Sequence, residues 1–236
     1  MKNLFLSCAM ACAAAVFIGI NQTQAQDLKP HFGITAGADL TTLGSSTYRN
    51  TSFNYQWRYG FQGGIYADLP LAKHFSIIPQ VLYSQKGGKV DAKIPNLLAT
   101  SGSSGSAGNS PSTAYDNYTG SVRMNYIDVP VLLAYKPLAD LSFFAGPQIS
   151  FLLAQHSSFA DMSVSGGTLT HDDTTNGFKK TLLGGNVGVG YNLCKEASVH
   201  LHYMFDLQHV ADKDASSAGA NPPKNSGFAL TLSYLF

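Results

Sequence analysis

From residue 30 to the end of the chain, hydrophobic and polar residues alternate over most stretches, which is the period of a β-strand. The alternating stretches are rich in Val, Ile, Phe and Tyr and are separated by segments of Gly, Pro, Asn and Ser. We found no helical period with caps in this region. The predicted strands are Phe32–Leu40, Tyr59–Leu69, Phe75–Ser84, Asn125–Tyr135, Leu141–Leu153, Leu183–Leu193, Ala197–Leu207 and Gly227–Phe236.

The connections between these strands alternate strictly between long and short. The short ones are 70–74, 136–140 and 194–196, and the long ones are 41–58, 85–124, 154–182 and 208–226. Outer-membrane barrels have short periplasmic turns and long outer loops. The chain is therefore predicted to be all-β, an eight-stranded antiparallel up-and-down transmembrane β-barrel with four long outer loops and three short periplasmic turns. A soluble eight-stranded barrel or sandwich is the alternative, but it would not need this alternation.

The distribution of charge supports the transmembrane barrel over the soluble one. Only 12% of residues are charged and the net charge is +1, so there is no basic field for nucleic acid. If the apolar positions of each strand face lipid, the acids Asp39, Asp68, Asp128 and Asp206 all fall on the other face. A charge facing lipid at the midplane would cost about 2–4 kcal/mol for Lys or Arg. The positions assigned to lipid are Phe32, Ile34, Phe61, Ile65, Leu69, Phe75, Ile77, Val81, Ile127, Val129, Val131, Leu133, Phe143, Ile149, Phe151, Val187, Val189, Tyr191, Val199, Leu201, Tyr203, Phe205 and alternate residues from Phe228 to Phe236.

Three prolines, Pro79, Pro130 and Pro147, lie inside predicted strands. Proline has no backbone N–H, and a closed barrel has no edge strand on which its absence is harmless. The sequence therefore predicts a bulge or locally broken pairing at each proline.

The amino-terminal segment reads as a secretory signal. The apolar run from Leu4 to Ile20 follows Lys2 and precedes polar residues, which predicts a signal peptide over residues 1–25 and a barrel over 26–236. A transmembrane anchor is the alternative, but seventeen residues rich in Ala are short and weakly apolar for that role. Cleavage would leave Cys194 as the single cysteine, expected to be an inert thiol.

Several strands carry the pattern of a known family. The segment from Met124 to Tyr135, with Tyr126, Asp128 and Pro130, resembles a strand of the PorT-like outer-membrane β-barrel family, also called porin family proteins. Segments 60–71, 77–87 and 145–150 look like further strands of that family. The resemblance implies an eight-stranded barrel in a Gram-negative-type outer membrane, inserted by the barrel-assembly machinery that reads the Phe236 end. The family commonly has an acid at Gln80 and an Arg at His202, so its lumenal acid–Arg pair is not carried over.

The lumen of an eight-stranded barrel is just wide enough for its side chains, so no open diffusion channel is expected. Counted from the periplasmic strand ends, Gln80, Asp128 and His202 lie at similar depth, with Asp206 on the same inner face as His202. We predict a lumenal polar cluster of these four residues, in which His202 and Asp128 are bridged directly or by water. Buried polar networks of this kind are costly unless every member is satisfied.

Two weaker patterns allow other chemistry. His200, His202 and Asp206 share one strand face, as a metal site or a hydrolase-like triad would need. The run His171-Asp172-Asp173 in the third outer loop is a second metal candidate. The expectation is nevertheless hydrogen-bonded lumen filling and solvated loop charge, with no catalytic residue, metal or cofactor.

The sequence thus favours a non-enzymatic outer-membrane barrel with a membrane-structural or surface-interaction role through its outer loops. The alternatives are an accessory role in transport or secretion, as the PorT-like resemblance implies, and an outer-membrane enzyme acting on lipid or peptide. The expected partners are outer-membrane lipid and, during insertion, the assembly machinery. The Gly/Ser-rich segment 99–113 of the second outer loop has too few apolar residues to order itself.

Overall fold

A computed structural model describes residues 29–48, 51–95, 115–161, 168–172, 175, 177–211 and 223–236, which form an eleven-stranded antiparallel sheet. The strands are β1 (His31–Thr42), β2 (Ser45–Tyr48), β3 (Thr51–Gln56), β4 (Arg58–Ala72), β5 (Phe75–Pro95), β6 (Tyr115–Tyr135), β7 (Leu141–Asp161), β8 (Thr168–Asp172), β9 (Thr181–Asn192), β10 (Ala197–Asp206) and β11 (Ser226–Leu235). Within the described ranges, no helix is both long and apolar enough to cross a membrane. The predicted signal peptide and the Gly/Ser-rich segment lie outside those ranges.

Eight of the strands form a closed wall. Around the barrel the order is β1, β4, β5, β6, β7, β9, β10 and β11, and each strand is antiparallel to its neighbours. The wall closes where β1 pairs with β11 without interruption from Gly33–Leu235 to Thr42–Ser226. The predicted eight-stranded antiparallel up-and-down barrel is confirmed.

Side chains divide between the two faces of this wall as the alternation predicts. The exterior carries many apolar side chains, such as Ile65 and Leu232, which are 62% and 57% exposed. An apolar surface this large is unfavourable in water, so it indicates contact with lipid. Asp39, Asp128 and Asp206 are buried inside the barrel, as expected. Leu69 is an exception to the exterior assignment, because it is buried.

The wall pairing is interrupted beside each of the three prolines. The β4–β5 ladder stops at Tyr66–Gln80 and resumes at Leu69–Ile77, with Pro79 in the gap. The β5–β6 ladder skips the positions around Pro130, and the β6–β7 ladder skips those around Pro147. The missing proline N–H groups leave no donor there, so the predicted local breaks are confirmed.

The short turns lie where they were expected, but the predicted bounds of the long loops are wrong. β5 continues to Pro95, β6 begins at Tyr115 and β7 continues to Asp161. The extension of β5 was missed because Lys86, Gly87, Gly88 and Lys89 weaken its strand signal. Gly87 itself is required there: its φ is +149°, and a Cβ would collide with the carbonyl oxygen of Val122.

The extended strands build a second structure above the barrel, which we call the outer sheet. It consists of β2, β3, the outer parts of β5, β6 and β7 (residues 87–95, 115–124 and 155–161), and β8. β3 pairs with β5 at Tyr55–Val90 and Gln56–Lys89, and β8 pairs with β7. β2 and β8 are therefore the two edges of this sheet, and neither they nor β3 were predicted.

The lumen is not polar throughout, which the sequence did not predict. At its outer end, buried apolar side chains pack together with Tyr55, Leu152 and Phe178; they are Leu43, Val122, Met124, Tyr126, Leu182 and Val210. At its periplasmic end, Leu132, Ala134 and Phe144 pack with Ile78. Apolar clusters thus occupy part of the lumen toward each end.

Candidate functional site

A buried ion pair lies at the centre of the lumen. The Lys86 Nζ is 3.0 Å from Asp128 Oδ1 and 2.9 Å from Oδ2, and both side chains are almost completely buried. Ser84 Oγ donates a hydrogen bond to Asp128 Oδ2 at 2.6 Å, and Lys86 Nζ donates to Ser150 Oγ at 3.2 Å. These contacts join β5, β6 and β7, with donors and acceptors matched as a buried pair requires.

Two further carboxylates, Asp206 and Asp39, interact electrostatically with Lys86. Asp206 accepts a hydrogen bond from Asn225 Nδ2 at 2.9 Å, and its backbone N–H donates to the Asn225 carbonyl. Asp39 is completely buried, and neither of its oxygens has a hydrogen-bond partner in the described part of the chain. The Lys86 charge acts on both of these acids as well as on Asp128. We call Lys86, Asp39, Asp128 and Asp206 the charge cluster.

His202 belongs to a separate network nearer the periplasm. Its Nδ1 lies 3.1 Å from Asn186 Oδ1, and its Nε2 lies 3.3 Å from Thr231 Oγ1. Asn186 Nδ2 donates to Gln148 Oε1 at 3.3 Å, and the His202 ring packs on Phe144 with centroids 4.8 Å apart.

No direct bond joins His202 to Asp128 in the described part of the chain, and the alternative bridge through water stays a prediction. Both ring nitrogens of His202 and both carboxylate oxygens of Asp128 are bonded to other groups. Depth counted from strand ends was misleading because tilted barrel strands are staggered, so equal counts do not mean equal height. Gln80 is buried as predicted, opposite Tyr66 in the β4–β5 ladder.

Lys86 is the residue that sequence reasoning missed. It was placed in a loop, yet it follows Gln80 and Ser84 at even positions of β5, the parity that points inward. Strand parity carried beyond Ser84 would have found it.

The alternative metal and triad patterns gain no support from the geometry. The His200 Nδ1 lies 3.3 Å from Ser233 Oγ, which donates to Thr35 Oγ1, while Asp206 is bonded to Asn225. Among the described residues, no group of three or more His, Cys, Asp and Glu is arranged to hold a metal ion. Asp173 lies outside the described ranges, and of His171 and Asp172 only the strand is described.

At the outer mouth, an open pocket of about 550 Å³ lies above the charge cluster. Asp206 and Asn225 line it together with Phe205, His209 and Lys224. The small cavity beside Lys86, of about 10 Å³, has room for one water molecule. Of the charge cluster, Asp206 therefore borders the pocket.

The two remaining predicted features lie at the periplasmic end. The Phe236 N–H donates to the Phe32 carbonyl at 2.8 Å, while its ring is 75% exposed. Its role as an assembly signal stays a prediction. Cys194 is exposed in the β9–β10 turn, with Sγ 3.6 Å from Glu196 Oε2.

Several solved structures share the barrel shape with low similarity. The attachment invasion locus protein Ail of Yersinia pestis is 8% identical, with a TM-score of 0.45 over 88% of this chain and 99% of that one. Neisserial surface protein A is 13% identical, with a TM-score of 0.42 over 87% and 97% of the two chains. The outer membrane protease OmpT from Escherichia coli is 10% identical, with a TM-score of 0.42 over 91% and 99%.

The family, by contrast, is shown by sequence. No curated protein matches this chain significantly. The family model described as "Outer membrane protein beta-barrel domain" matches residues 22–212, which is most of the chain and includes seven of the eight wall strands. The chain belongs to the outer membrane protein beta-barrel domain family.

Proposed function

We propose that this protein is a non-enzymatic outer-membrane barrel that engages partners outside the cell through its outer sheet. The observation that carries the proposal is strand length: β5, β6 and β7 each have 21 residues. A transmembrane strand needs about 9–11 residues. Half of each strand is therefore in excess of what membrane crossing requires.

The height of the outer sheet follows from the same strands. The outward face of β5 is apolar up to Tyr83 and polar at Gln85 and Lys89, and twelve residues continue the strand from Tyr83 to Pro95. At about 3.3 Å per residue and a tilt of about 40°, they rise roughly 30 Å above the apolar band.

The edges of the outer sheet suggest how it binds. Among the described strands, β2 and β8 each have only one neighbour, so their outer backbone groups face away from that part of the sheet. An exposed edge accepts an extended segment of another protein by adding a strand. An extended peptide segment is accordingly the class of partner that we propose.

The interior supports the non-enzymatic part of the proposal. Asp128 is held by Lys86 and Ser84, and His202 is held by Asn186 and Thr231. Groups bound to one another in this way act as lumen filling.

The test removes the outer parts of β5 and β6, which join β3 to β7 within the outer sheet, and leaves the barrel. Gly88 and Val122 lie directly opposite each other in the β5–β6 register, so a two-residue Asn-Gly turn can replace residues 89–121. We expect cells displaying this variant to lose adhesion to surfaces coated with extracellular-matrix protein and to lose cell–cell aggregation. Heat-modifiable gel mobility should still show a folded barrel.

The matched control lacks only the Gly/Ser-rich residues 99–113 and keeps β5 and β6 at full length. It should adhere as the unaltered protein does. Adhesion that survives the loss of residues 89–121, in a folded barrel, would refute the surface role.

The second candidate is an accessory role in transport or secretion. It is supported by the PorT-like pattern around Asp128, which proves to be a central buried acid of the lumen. Membrane-extracted protein that purifies with a stable transport complex would favour this role, and purification alone would count against it.

The location that we propose is a Gram-negative-type outer membrane, with residues 1–25 removed on export. Membership of the outer-membrane barrel family supports the location. Amino-terminal sequencing of the protein from the outer-membrane fraction tests the cleavage, which predicts Gln26 as the first residue.

A further inference from the structure

The open pocket at the outer mouth lies where β1 and β11 separate. These two strands stay paired up to Thr42–Ser226, where their ladder ends. The residues that follow on one strand and precede on the other, 43–45 and 224–226, line the pocket of about 550 Å³. The pocket therefore fills the gap above the end of this seam, and we call it the seam pocket.

The unpaired edge of β2 lies beside the seam pocket. β2 pairs with β3, which leads directly into β4, and β4 lies on the side of β1 that faces away from β11. The Tyr55 N–H also donates to the Gly44 carbonyl on that side. The other edge of β2, which has no partner among the described strands, is therefore on the β11 side. Ser45, the first residue of β2, is exposed and lines the seam pocket.

The buried side of the seam pocket carries a carboxyl group. Asp206 lines the pocket, although it is only 7% exposed, and it is hydrogen-bonded to Asn225, which lines the pocket as well. The same two residues line the small cavity beside Lys86. Asp206 thus borders both spaces, with Lys86 on its inner side and the open pocket on its outer side.

Acids outnumber cations in the charge cluster behind this pocket. The cluster has three acids and one lysine, and Lys86 forms its ion pair with Asp128. Neither Asp39 nor Asp206 forms an ion pair with a described residue. A buried carboxylate without a counter-charge is unfavourable. A cation that enters the seam pocket beside Asp206 would supply that counter-charge.

The seam pocket suits an organic cation better than a metal ion. Its volume falls within the roughly 300–1,000 Å³ of sites for organic ligands. Hard metal ions instead need several oxygen ligands around one point, and the described residues contain no group of three or more His, Cys, Asp and Glu arranged to hold one. Leu43 adds an apolar side chain to the lining, which suits the hydrocarbon stem of Lys or Arg.

From these observations we infer that the seam pocket binds a basic side chain, Lys or Arg, of an extended segment that pairs with the unpaired edge of β2. The inference rests on the proposed surface role and names the chemistry of its partner. Side chains of an added strand alternate between its two faces, so a residue beside Ser45 can direct its side chain toward Asp206. The backbone of the segment would bind β2, and the cation would select the partner.

The probe is a short peptide with blocked ends, acetyl-Thr-Val-Lys-Val-Thr-amide, whose lysine ammonium is its single charge. A matched peptide has norleucine in place of lysine, which keeps the stem and removes the charge. Binding to the full-length protein in uncharged detergent is measured by isothermal titration calorimetry. We expect the lysine peptide to bind about tenfold more tightly than the norleucine peptide at low salt.

Two variants test whether the binding takes place in the seam pocket. Asp206→Asn keeps an acceptor for Asn225 and removes the charge, so the lysine peptide should bind it about as weakly as the norleucine peptide does. Ser45→Lys adds a competing ammonium group at the pocket and should weaken binding about tenfold. Because Ser45 is exposed, this second variant keeps the test valid even if Asp206→Asn does not fold. The controls, Asp140→Asn and Ala139→Lys, make the same charge changes at exposed positions of a periplasmic turn and should bind as the unaltered protein does.

Three results would overturn the inference. They are equal binding, or none, of the two peptides to the unaltered protein, unchanged lysine-peptide binding by Ser45→Lys in a folded barrel, and an equal loss in the periplasmic controls. Pentylamine that binds as tightly as the lysine peptide would assign the pocket to a free amine and refute the peptide partner.

The adhesion assay separates this inference from the surface role on which it rests. Adhesion that is lost without residues 89–121 but kept in a folded Asp206→Asn barrel would refute the seam pocket and leave the surface role standing. Lysine-peptide binding that depends on Asp206, in a protein whose adhesion survives the loss of residues 89–121, would refute the adhesion role alone.

Discussion

At the scale of single residues, Lys86 determines whether the lumen tolerates its acids. It contacts Asp128 directly and acts on Asp39 and Asp206 through space. Both members of the pair are almost completely buried. Removing one partner of such a pair leaves an uncompensated charge, which costs far more than the pair itself contributes.

Replacing Lys86 with Met should therefore destabilise the barrel by about 3–5 kcal/mol, since the buried Asp128 carboxyl would lose its ion-pair partner. The measurement is urea unfolding in lipid vesicles, followed by heat-modifiable mobility. Lys73→Met, at an exposed turn position, is the matched control and should change stability by no more than about 0.5 kcal/mol. Equal stability of the two variants would show that Lys86 is not the counter-ion of the cluster.

At the residue scale, the sequence predicts which face of the wall a side chain lies on better than it predicts its contacts. Parity along the strands correctly placed Asp39, Asp128 and Asp206 inside, because a charge facing lipid is costly. It did not pair them correctly, since contacts across a lumen depend on strand stagger. In the structure, Asp128 is hydrogen-bonded to Lys86, and His202 is hydrogen-bonded to Asn186.

At the scale of elements, each long strand has two environments. The inner part of β5 faces lipid with Ile77 and Val81, whereas beyond Tyr83 its outward face carries Gln85 and Lys89. The first part was predicted because alternation between hydrocarbon and lumen is strong. The second was missed because a sheet in water needs no apolar outward face, and its alternation is correspondingly weak.

The two parts of β5 should differ in hydrogen exchange. We expect backbone amides of 89–94 to exchange well before those of 80–84, because the outer sheet is bathed in water and has open edges. Exchange measured by mass spectrometry on protein in bilayers tests this. Uniform protection along β5 would mean that the outer part is covered, and the proposed strand edges would then not be accessible.

At the scale of the whole molecule, the barrel orientation follows from the connections. The three short turns lie at one end, and the outer sheet lies at the other. The order of long and short connections along the sequence was sufficient to predict this arrangement. Neither the apolar clusters that enclose the lumen nor the outer sheet followed from it, because both depend on contacts between distant segments.

Exposed Cys194 gives a direct test of the orientation. It lies in the β9–β10 turn, which the proposed topology places in the periplasm. A maleimide too large to cross the outer membrane should label it only after that membrane is permeabilised. Control variants combine Cys194→Ser with Ser45→Cys at the opposite, outer end, and these should be labelled on intact cells. Labelling of Cys194 on intact cells would invert the orientation.

The continuous pairing of β1 with β11 has a consequence for timing. Of the eight wall strands, the one that completes the wall is the last to be synthesised, so the seven earlier strands cannot form a closed cylinder by themselves. Until Ser226–Leu235 has been synthesised, one edge of β1 has no partner strand, and the apolar exterior is not yet surrounded by lipid. Closure of the wall must therefore wait until β11 has been synthesised and can pair with β1.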